Sequence, residues 1–257
     1  MHNFKPRIVA VIPVYNEENS IIDTVKKIKD IKLIDEIVVV NDGSTDKTRE
    51  KISKLDVTSI ELEKNRGKGY AINTAIEKVR FDYLVLIDGD LGNTSHEIIK
   101  LLIPALNGEA DVIIARFKSP KIKGGFGLVK NLANKGVYYY TGKKITSTLS
   151  GQRVYKSNVI DSIDYIPSRF GIEVAMTIEA LRKGFTIKEV DVDMTHRETG
   201  RNLKGFIHRG RQFLDVLITL IILLFRRWKV VVKYIIICIQ FCFDLYRYAY
   251  VLWYASK

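Results

Sequence analysis

The stretch Tyr83-Leu84-Val85-Leu86-Ile87-Asp88-Gly89-Asp90 is an apolar run of strand-forming residues that ends abruptly in two carboxylates one residue apart. Apolar on both faces, it reads as a strand buried between helical layers. A desolvated carboxylate needs a counter-charge, so a buried strand that ends in two acids constrains whatever surrounds it. Acids at i and i+2 leave a strand on the same side. That spacing suits a hard divalent cation held jointly by carboxylates and by the phosphate oxygens of a ligand. The alternative is a solvated turn, because Asp-Gly is also a good turn former.

The chain before this stretch repeats one pattern. Ile8 to Ile12 is a β-branched run ended by Pro13, and Asn16 to Ser20 then offers caps and first-turn acids. Ile21, Val25 and Ile28 carry a helix to about Lys29. Ile37 to Val40 is a second strand, closed by Asn41-Asp42-Gly43-Ser44-Thr45-Asp46, from which a helix runs to about Lys54. Val57 to Leu62 is a third strand. Asn65-Arg66-Gly67-Lys68-Gly69 is a loop opening a helix with Ile72, Ala75, Ile76 and Val79 on one face. Strands alternating with helices imply an α/β fold with a mostly parallel, doubly wound sheet flanked by helices. Ligands of such sheets sit outside the carboxyl ends of the strands, where Pro13 to Glu17, Asp42, Lys68, Asp88 and Asp90 all fall.

Further on, the pattern predicts a helix over Glu97–Leu106, a strand over Asp111–Ala115 that delivers Arg116, and a basic, Gly-rich loop over Lys118–Gly127. A helix follows over Leu128–Tyr140, then a turn into a short strand over Ser150–Tyr155, a helix over Phe170–Lys183 and a strand over Thr186–Val192. The organisation expected is a catalytic domain over residues 1–200 and a basic, apolar helical tail over 201–257.

That tail differs in kind. The formal net charge is +12, and Arg201 to Lys257 holds ten Lys or Arg against Asp215 and Asp244. Basic and apolar together point to an anionic membrane surface, and none of the usual nucleic-acid-binding motifs is present. A spanning helix needs ~20 largely uncharged residues. Neither Phe213–Phe225 nor Val230–Trp253 supplies them cleanly. Both read as helices lying peripherally in the headgroup region, with a buried helix pair in a homo-oligomer and a true span as the alternatives. The two cysteines, Cys238 and Cys242, form no disulfide framework or zinc spacing. The N-terminus enters a strand without a signal-peptide apolar region, so the expected location is the cytoplasmic face of the membrane.

Val11-Ile12-Pro13-Val14-Tyr15-Asn16-Glu17-Glu18, Val40-Asn41-Asp42-Gly43-Ser44-Thr45-Asp46, Asn65-Arg66-Gly67-Lys68-Gly69 and Asp88-Gly89-Asp90 occur in that order. Together they resemble the nucleotide-sugar half of the family 2 glycosyltransferases, which have the GT-A fold. Within that family the chain is most similar to the polyprenyl- and dolichyl-phosphate sugar synthases, over roughly residues 7–197. The resemblance implies a nucleotide-sugar donor, with UDP favoured over GDP, and a lipid-phosphate acceptor. It also implies Mg²⁺ or Mn²⁺ held by Asp88 and Asp90.

The residues suit those roles. Pro13 and Tyr15 can shape an apolar slot for a base, and Glu17 can accept from a ribose hydroxyl. Asp42 can accept from the base or ribose, or cap a helix. Lys68, between two glycines, suits a diphosphate. Arg116, matched in the related synthases by an arginine after the corresponding strand, could take charge from the leaving group or meet an acceptor phosphate. Those synthases commonly have Asp-x-Asp-x-Gln, whereas this chain has Gly92 at the last place. The third metal ligand is then water or another residue, with His196 the candidate.

Relatives that glycosylate hydroxyls usually carry a pair of acids before a helix as the base. Here the matching helix opens Phe170-Gly171-Ile172-Glu173, with a single acid. Glu173 could be that base, or a helix-start acid positioning Arg153 or Arg197. A phosphate acceptor is ionised near neutral pH and needs no base. Gln152 and Arg153 lie in a stretch that resembles the acceptor-side loop of those synthases, which implies that they meet the acceptor phosphate, with Arg197 a further candidate; displacement at the anomeric carbon with inversion is expected. The paired acids and His196-Arg197 also look like the glucosyl-3-phosphoglycerate synthases, whose acceptor is small and soluble and whose reaction retains configuration. A nucleotidyltransferase would need a Gly-rich loop after the first strand, where this chain has Pro13-Val14-Tyr15-Asn16-Glu17. A non-catalytic membrane-recruitment module would keep the tail but have no need of Asp88 and Asp90.

Overall fold

The computed structural model describes residues 5–117, 127–195 and 209–226. A seven-stranded sheet has the order β3-β2-β1-β4-β6-β5-β7. Its strands are β1 (Ile8–Val14), β2 (Glu36–Asn41), β3 (Thr58–Glu61), β4 (Tyr83–Leu86), β5 (Val112–Phe117), β6 (Arg153–Lys156) and β7 (Ile187–Val192). The helices are α1 (Ile21–Lys29), α2 (Thr48–Ile52), α3 (Lys68–Ile76), α4 (Ile99–Leu106), α5 (Leu128–Thr141), α6 (Ser157–Ser162) and α7 (Ile172–Arg182). A further helix spans 209–226. The chain divides into two compact units, Met1–Leu217 and Ile218–Lys257.

The sheet is double-sided because its central strands are apolar at every position. In β1, Ile8, Ala10, Ile12 and Val14 join one core with Ile21, Val25 and Ile28 of α1, Ile52 of α2 and Leu101, Leu102 and Ala105 of α4. The alternate residues Val9 and Val11 are equally buried, on the face where α3 packs against β1 and β2. A continuous β-branched run is stable only with both faces covered, and here helices cover both.

Parallel pairing joins β1 to β2 and β4, β2 to β3, and β5 to β7. β6 alone runs antiparallel, between β4 and β5, with Arg153 beside Leu86. The sheet is therefore mostly parallel, as expected, with one antiparallel strand. The expected helix at Glu97 also begins differently, as a 3-10 turn over Gly92–Ile98 that leads into α4. The consequence for function is geometric: β1, β2, β4 and β5 all deliver their carboxyl ends to one edge.

The far end of the sheet is tied by Asp111, which precedes β5. Its carboxylate accepts from the Thr186 amide at 2.9 Å, the Thr186 hydroxyl at 2.7 Å and the Lys156 ammonium at 2.9 Å. Burial pushes this carboxyl up, but those donors outweigh it and hold the pKa down at about 2. The stabilisation is complete above the ordinary value of 3.8 and is lost as pH falls toward about 2. Asp111→Asn is expected to cost on the order of 2 kcal/mol at neutral pH. Urea melts at stepped pH should show the variant losing less stability than the parent between about pH 4 and pH 2.

Candidate active site

β4 ends at Leu86, and Ile87 continues the pairing through its amide to the Val11 carbonyl at 3.1 Å. The chain then turns through Asp88-Gly89-Asp90. A buried threonine pins that turn: the Thr24 hydroxyl of α1 donates to the Gly89 carbonyl at 3.0 Å and accepts from the Gly92 amide at 2.8 Å. Ser95, also buried, donates to the Thr24 and Gly92 carbonyls. Sequence reasoning missed both residues. The available signal was a polar side chain at Thr24, on the same helical face as Ile21, Val25 and Ile28.

Lys68 opens α3 and reaches into the site. Its Nζ lies 2.6 Å from Asp88 Oδ1 and 2.8 Å from Glu173 Oε1. Burial pulls the ammonium down, but the two carboxylates outweigh it and hold its pKa well above the ordinary lysine value. The loop that presents Lys68 is itself anchored by Asp42, whose two carboxylate oxygens accept from the Arg66 and Gly67 amides, each at 2.8 Å. Burial pushes the Asp42 carboxyl up despite those amides. The helix cap expected as an alternative for Asp42 is not formed: Asp46, not Asp42, bonds the Thr48 amide at the start of α2. Gly69 admits the next layer, since a Cβ there would stand 1.8 Å from the Pro167 carbonyl oxygen.

Asp88 is held from the other side by Gln152, whose Nε2 donates to Oδ2 at 2.7 Å. Gly151 lies against the ion pair so closely that a Cβ would stand 2.3 Å from Lys68 Nζ and 2.5 Å from Asp88 Oδ2. Sequence reasoning read Ser150-Gly151 only as a turn. The structure thus gathers Lys68, Asp88, Gln152 and Glu173 into one cluster, with Asp90 half-buried in the adjoining turn.

Several expectations are corrected. Gln152 faces Asp88 rather than standing open to an acceptor. Arg153 is 1 % exposed and its guanidinium is spent on internal acceptors, so it is not presented to an acceptor phosphate. Glu173 pairs with Lys68 rather than with Arg153. Arg116 emerges at the carboxyl end of β5 and pairs with Asp191 of β7, Nε to Oδ1 at 2.5 Å and Nη2 to Oδ2 at 2.9 Å, outside the cluster.

Pro13 is buried within β1, and Tyr15 just beyond it is 44 % exposed. The Ser20 hydroxyl donates to Glu17 Oε2 at 2.9 Å. Asn16, at φ 57°, donates its backbone amide to the Ser44 hydroxyl and accepts from the Thr45 amide at its side-chain carbonyl, joining the loops after β1 and β2. His196 and Arg197 lie outside the described residues, as do most of the 118–127 loop and the tail beyond 226.

Among the described residues no group of three or more His, Cys, Asp or Glu is placed to hold a metal ion. The carboxylates of Asp88 and Asp90 would be the chain's hard oxygen donors for a cation. Mg²⁺ is ordinarily held in that way, by one or two carboxylates plus substrate phosphates and water, and Mn²⁺ takes the same donors. The donor set fits.

Open α/β sheets bind their ligands outside the carboxyl ends of the strands, and the carboxylate-and-lysine cluster lies at that edge. The chain belongs to glycosyl transferase family 2, matching that family over residues 9–163. It is 30% identical over 213 residues to the low-salt glycan biosynthesis hexosyltransferase Agl6 of Haloferax volcanii, covering 78% of this chain and 51% of Agl6. It is 28% identical over 178 residues to the UDP-N-acetylglucosamine–dolichyl-phosphate N-acetylglucosaminyltransferase of Methanococcus voltae, covering 60% of this chain and 70% of that enzyme. The undecaprenyl-phosphate 4-deoxy-4-formamido-L-arabinose transferase of Proteus mirabilis is 26% identical over 223 residues, covering 82% of this chain and 67% of that enzyme. The chain thus spans about half of Agl6 and about two thirds of the other two. Its fold matches glucosyl-3-phosphoglycerate synthase from Mycobacterium tuberculosis, solved with Mn²⁺, UDP and glucosyl-3-phosphoglycerate. The TM-score is 0.71 at 24% identity, covering 84% of this chain and 78% of that one.

Proposed function

We propose that the chain transfers a sugar from a nucleoside diphosphate sugar, UDP favoured, to a polyprenyl-phosphate-type lipid at the cytoplasmic face of a membrane. The observation that carries the acceptor class is the engagement of Glu173. The one acid at the start of α7 is buried and already paired with Lys68, so it does not stand open to a hydroxyl acceptor. A phosphate acceptor arrives already ionised and needs no base. Dolichyl and undecaprenyl phosphate, for which the relatives from Methanococcus voltae and Proteus mirabilis are named, are acceptors of that kind.

In this reading Asp88 and Asp90 would hold Mg²⁺ or Mn²⁺, which would supply Lewis acidity toward the departing diphosphate. Lys68 adds a fixed positive charge on the same side, kept in place by Glu173 and Asp88. Pro13, Tyr15, Glu17 and the joined loops after β1 and β2 receive the nucleoside. The acceptor phosphate oxygen attacks the anomeric carbon as the bond to the diphosphate breaks, with inversion.

Two surfaces favour a membrane over a soluble acceptor. The segment 127–144 contains no acid, and exposes Leu128, Tyr138 and Tyr139 together with Lys130, Lys135, Lys143 and Lys144. Tyrosine and lysine side chains of this kind sit at headgroup level. The helix over 209–226 exposes Leu214, Ile218, Ile221 and Phe225 at helical spacing. Among the described residues no helix is long and apolar enough to cross a membrane, and the reading is of peripheral attachment. A second reading, transfer to a small phosphorylated acceptor, is favoured by the fold match.

The test is a competition between acceptors. With UDP-sugar and Mn²⁺, transfer to undecaprenyl phosphate in anionic vesicles is expected to exceed transfer to 3-phosphoglycerate or to a simple alcohol. Efficient use of the soluble acceptor, by the full chain and by a chain ending near residue 208, would displace the lipid reading.

A further inference from the structure

The buried arginine behind the site has no place in the chemistry just described. Arg153 begins β6, beside Leu86 of β4, and its guanidinium makes four hydrogen bonds. Nε donates to the Ser150 carbonyl at 2.7 Å and Nη2 to the Thr148 carbonyl at 2.5 Å. Nη1 donates to the Tyr155 hydroxyl at 3.0 Å and to the Thr177 hydroxyl of α7 at 2.8 Å. All four acceptors are neutral. Burying a charge is costly, and an apolar residue of similar volume often serves packing as well or better. A guanidinium kept at such a position is one whose planar, multi-donor geometry is being used.

The geometry fixes a short segment. Arg153 holds the carbonyls on both sides of residue 149, and the Ser150 amide closes a turn onto the Ser147 carbonyl at 2.9 Å. Next come Gly151, packed against Lys68 Nζ and Asp88, and Gln152, which donates to Asp88. The Ser150 hydroxyl also reaches Gln152 Oε1 at 3.4 Å. The other arm ends on Thr177, whose hydroxyl donates to the Glu173 carbonyl one turn earlier in α7. One side chain therefore ties the segment carrying Gln152 to the helix carrying Glu173.

We infer that Arg153 is a positioning residue for the donor-diphosphate end of the site: it fixes the 148–152 segment so that Gln152 orients the Asp88 carboxylate. The inference rests on the donor-site reading above. Lysine at 153 keeps the charge but cannot reach the same acceptors as a planar fork, so it does not rescue.

The experiment is a calorimetric titration of UDP with Mn²⁺ into the full chain, Arg153→Lys, Gln152→Ala and the double variant. Melting temperatures without ligand are taken alongside. Each single change is expected to weaken UDP–Mn²⁺ binding about tenfold, and the double change by much less than the product, because the two residues act in series. A purely structural role would lower the melting temperature without that coupling. Should Arg153→Lys fail to fold, Thr177→Val, which removes one of the four acceptors, is expected to weaken binding about threefold in the parent and not in Gln152→Ala. Parent-like affinity in a folded Arg153→Lys, losses that simply multiply, or parent-like affinity in the substitute Thr177→Val overturns the inference while the donor site stands. No UDP–Mn²⁺ binding by the parent overturns the donor site and the inference together.

Discussion

Asp90→Asn is expected to lower divalent-dependent sugar transfer by about 10²- to 10³-fold, the loss typical when one preorganised stabiliser of developing charge is removed. The substitution is nearly isosteric and lies in a half-buried turn at the edge of the sheet. Thr24 and Ser95 pin that turn through main-chain atoms, so the melting temperature should move little. Affinity for UDP should fall in Mn²⁺ and change little in EDTA, which separates loss of the cation from loss of the nucleoside contacts. Full transfer by Asp90→Asn, or by a chain with alanine at both 88 and 90, would remove the basis for the metal and for the mechanism with it.

The parts of this molecule legible in the chain are those decided by local pattern. β1, β2 and β4 could be placed because Ile8 to Val14, Ile37 to Val40 and Leu84 to Ile87 are apolar on both faces, which only a covered strand tolerates. α1 could be placed because Ile21, Val25 and Ile28 recur at helical spacing. For β6 the short strand was legible and its antiparallel direction was not. Arg153-Val154-Tyr155-Lys156 is too short to carry a direction, and its place between β4 and β5 is set by pairing partners far away in the chain. α6, over Ser157–Ser162, is likewise too short to show a period.

The site divides along the same line. Residue types at strand ends pointed to Lys68 and Asp88, and the structure brings them together. Where a side chain finds its partner was not legible. Gln152 meets Asp88 across 64 residues and Glu173 meets Lys68 across 105, separations at which no local rule applies. Arg153 shows the cost of reading chemistry from residue type. An arginine near an acidic site reads as a phosphate ligand, yet β6 turns this one inward, where it has only neutral acceptors. Nor was it legible that Asp42 anchors the loop that presents Lys68.

Lys68→Met carries the other large effect, because the lysine serves two carboxylates at once. Removing one partner of a buried ion pair costs about 3–5 kcal/mol. The Lys68 side chain keeps 23% of its exposure, and solvent screening brings the expected loss nearer 2 kcal/mol. Methionine leaves Asp88 and Glu173 facing each other without a counter-charge, so Glu173→Gln in the same chain should return much of the stability. It should not return UDP–Mn²⁺ affinity, expected to fall about tenfold or more in both chains, because the positive charge beside the diphosphate is still missing. Urea midpoints and UDP titrations on the single and double variants separate the two effects, and recovery of both by Glu173→Gln would mean that Lys68 never touches the donor. The pH dependence follows from the raised lysine pKa. Its contribution to stability is complete below the ordinary value of 10.5 and is lost only as pH rises through the higher folded value. Lys68 therefore stays charged throughout the neutral and mildly alkaline range.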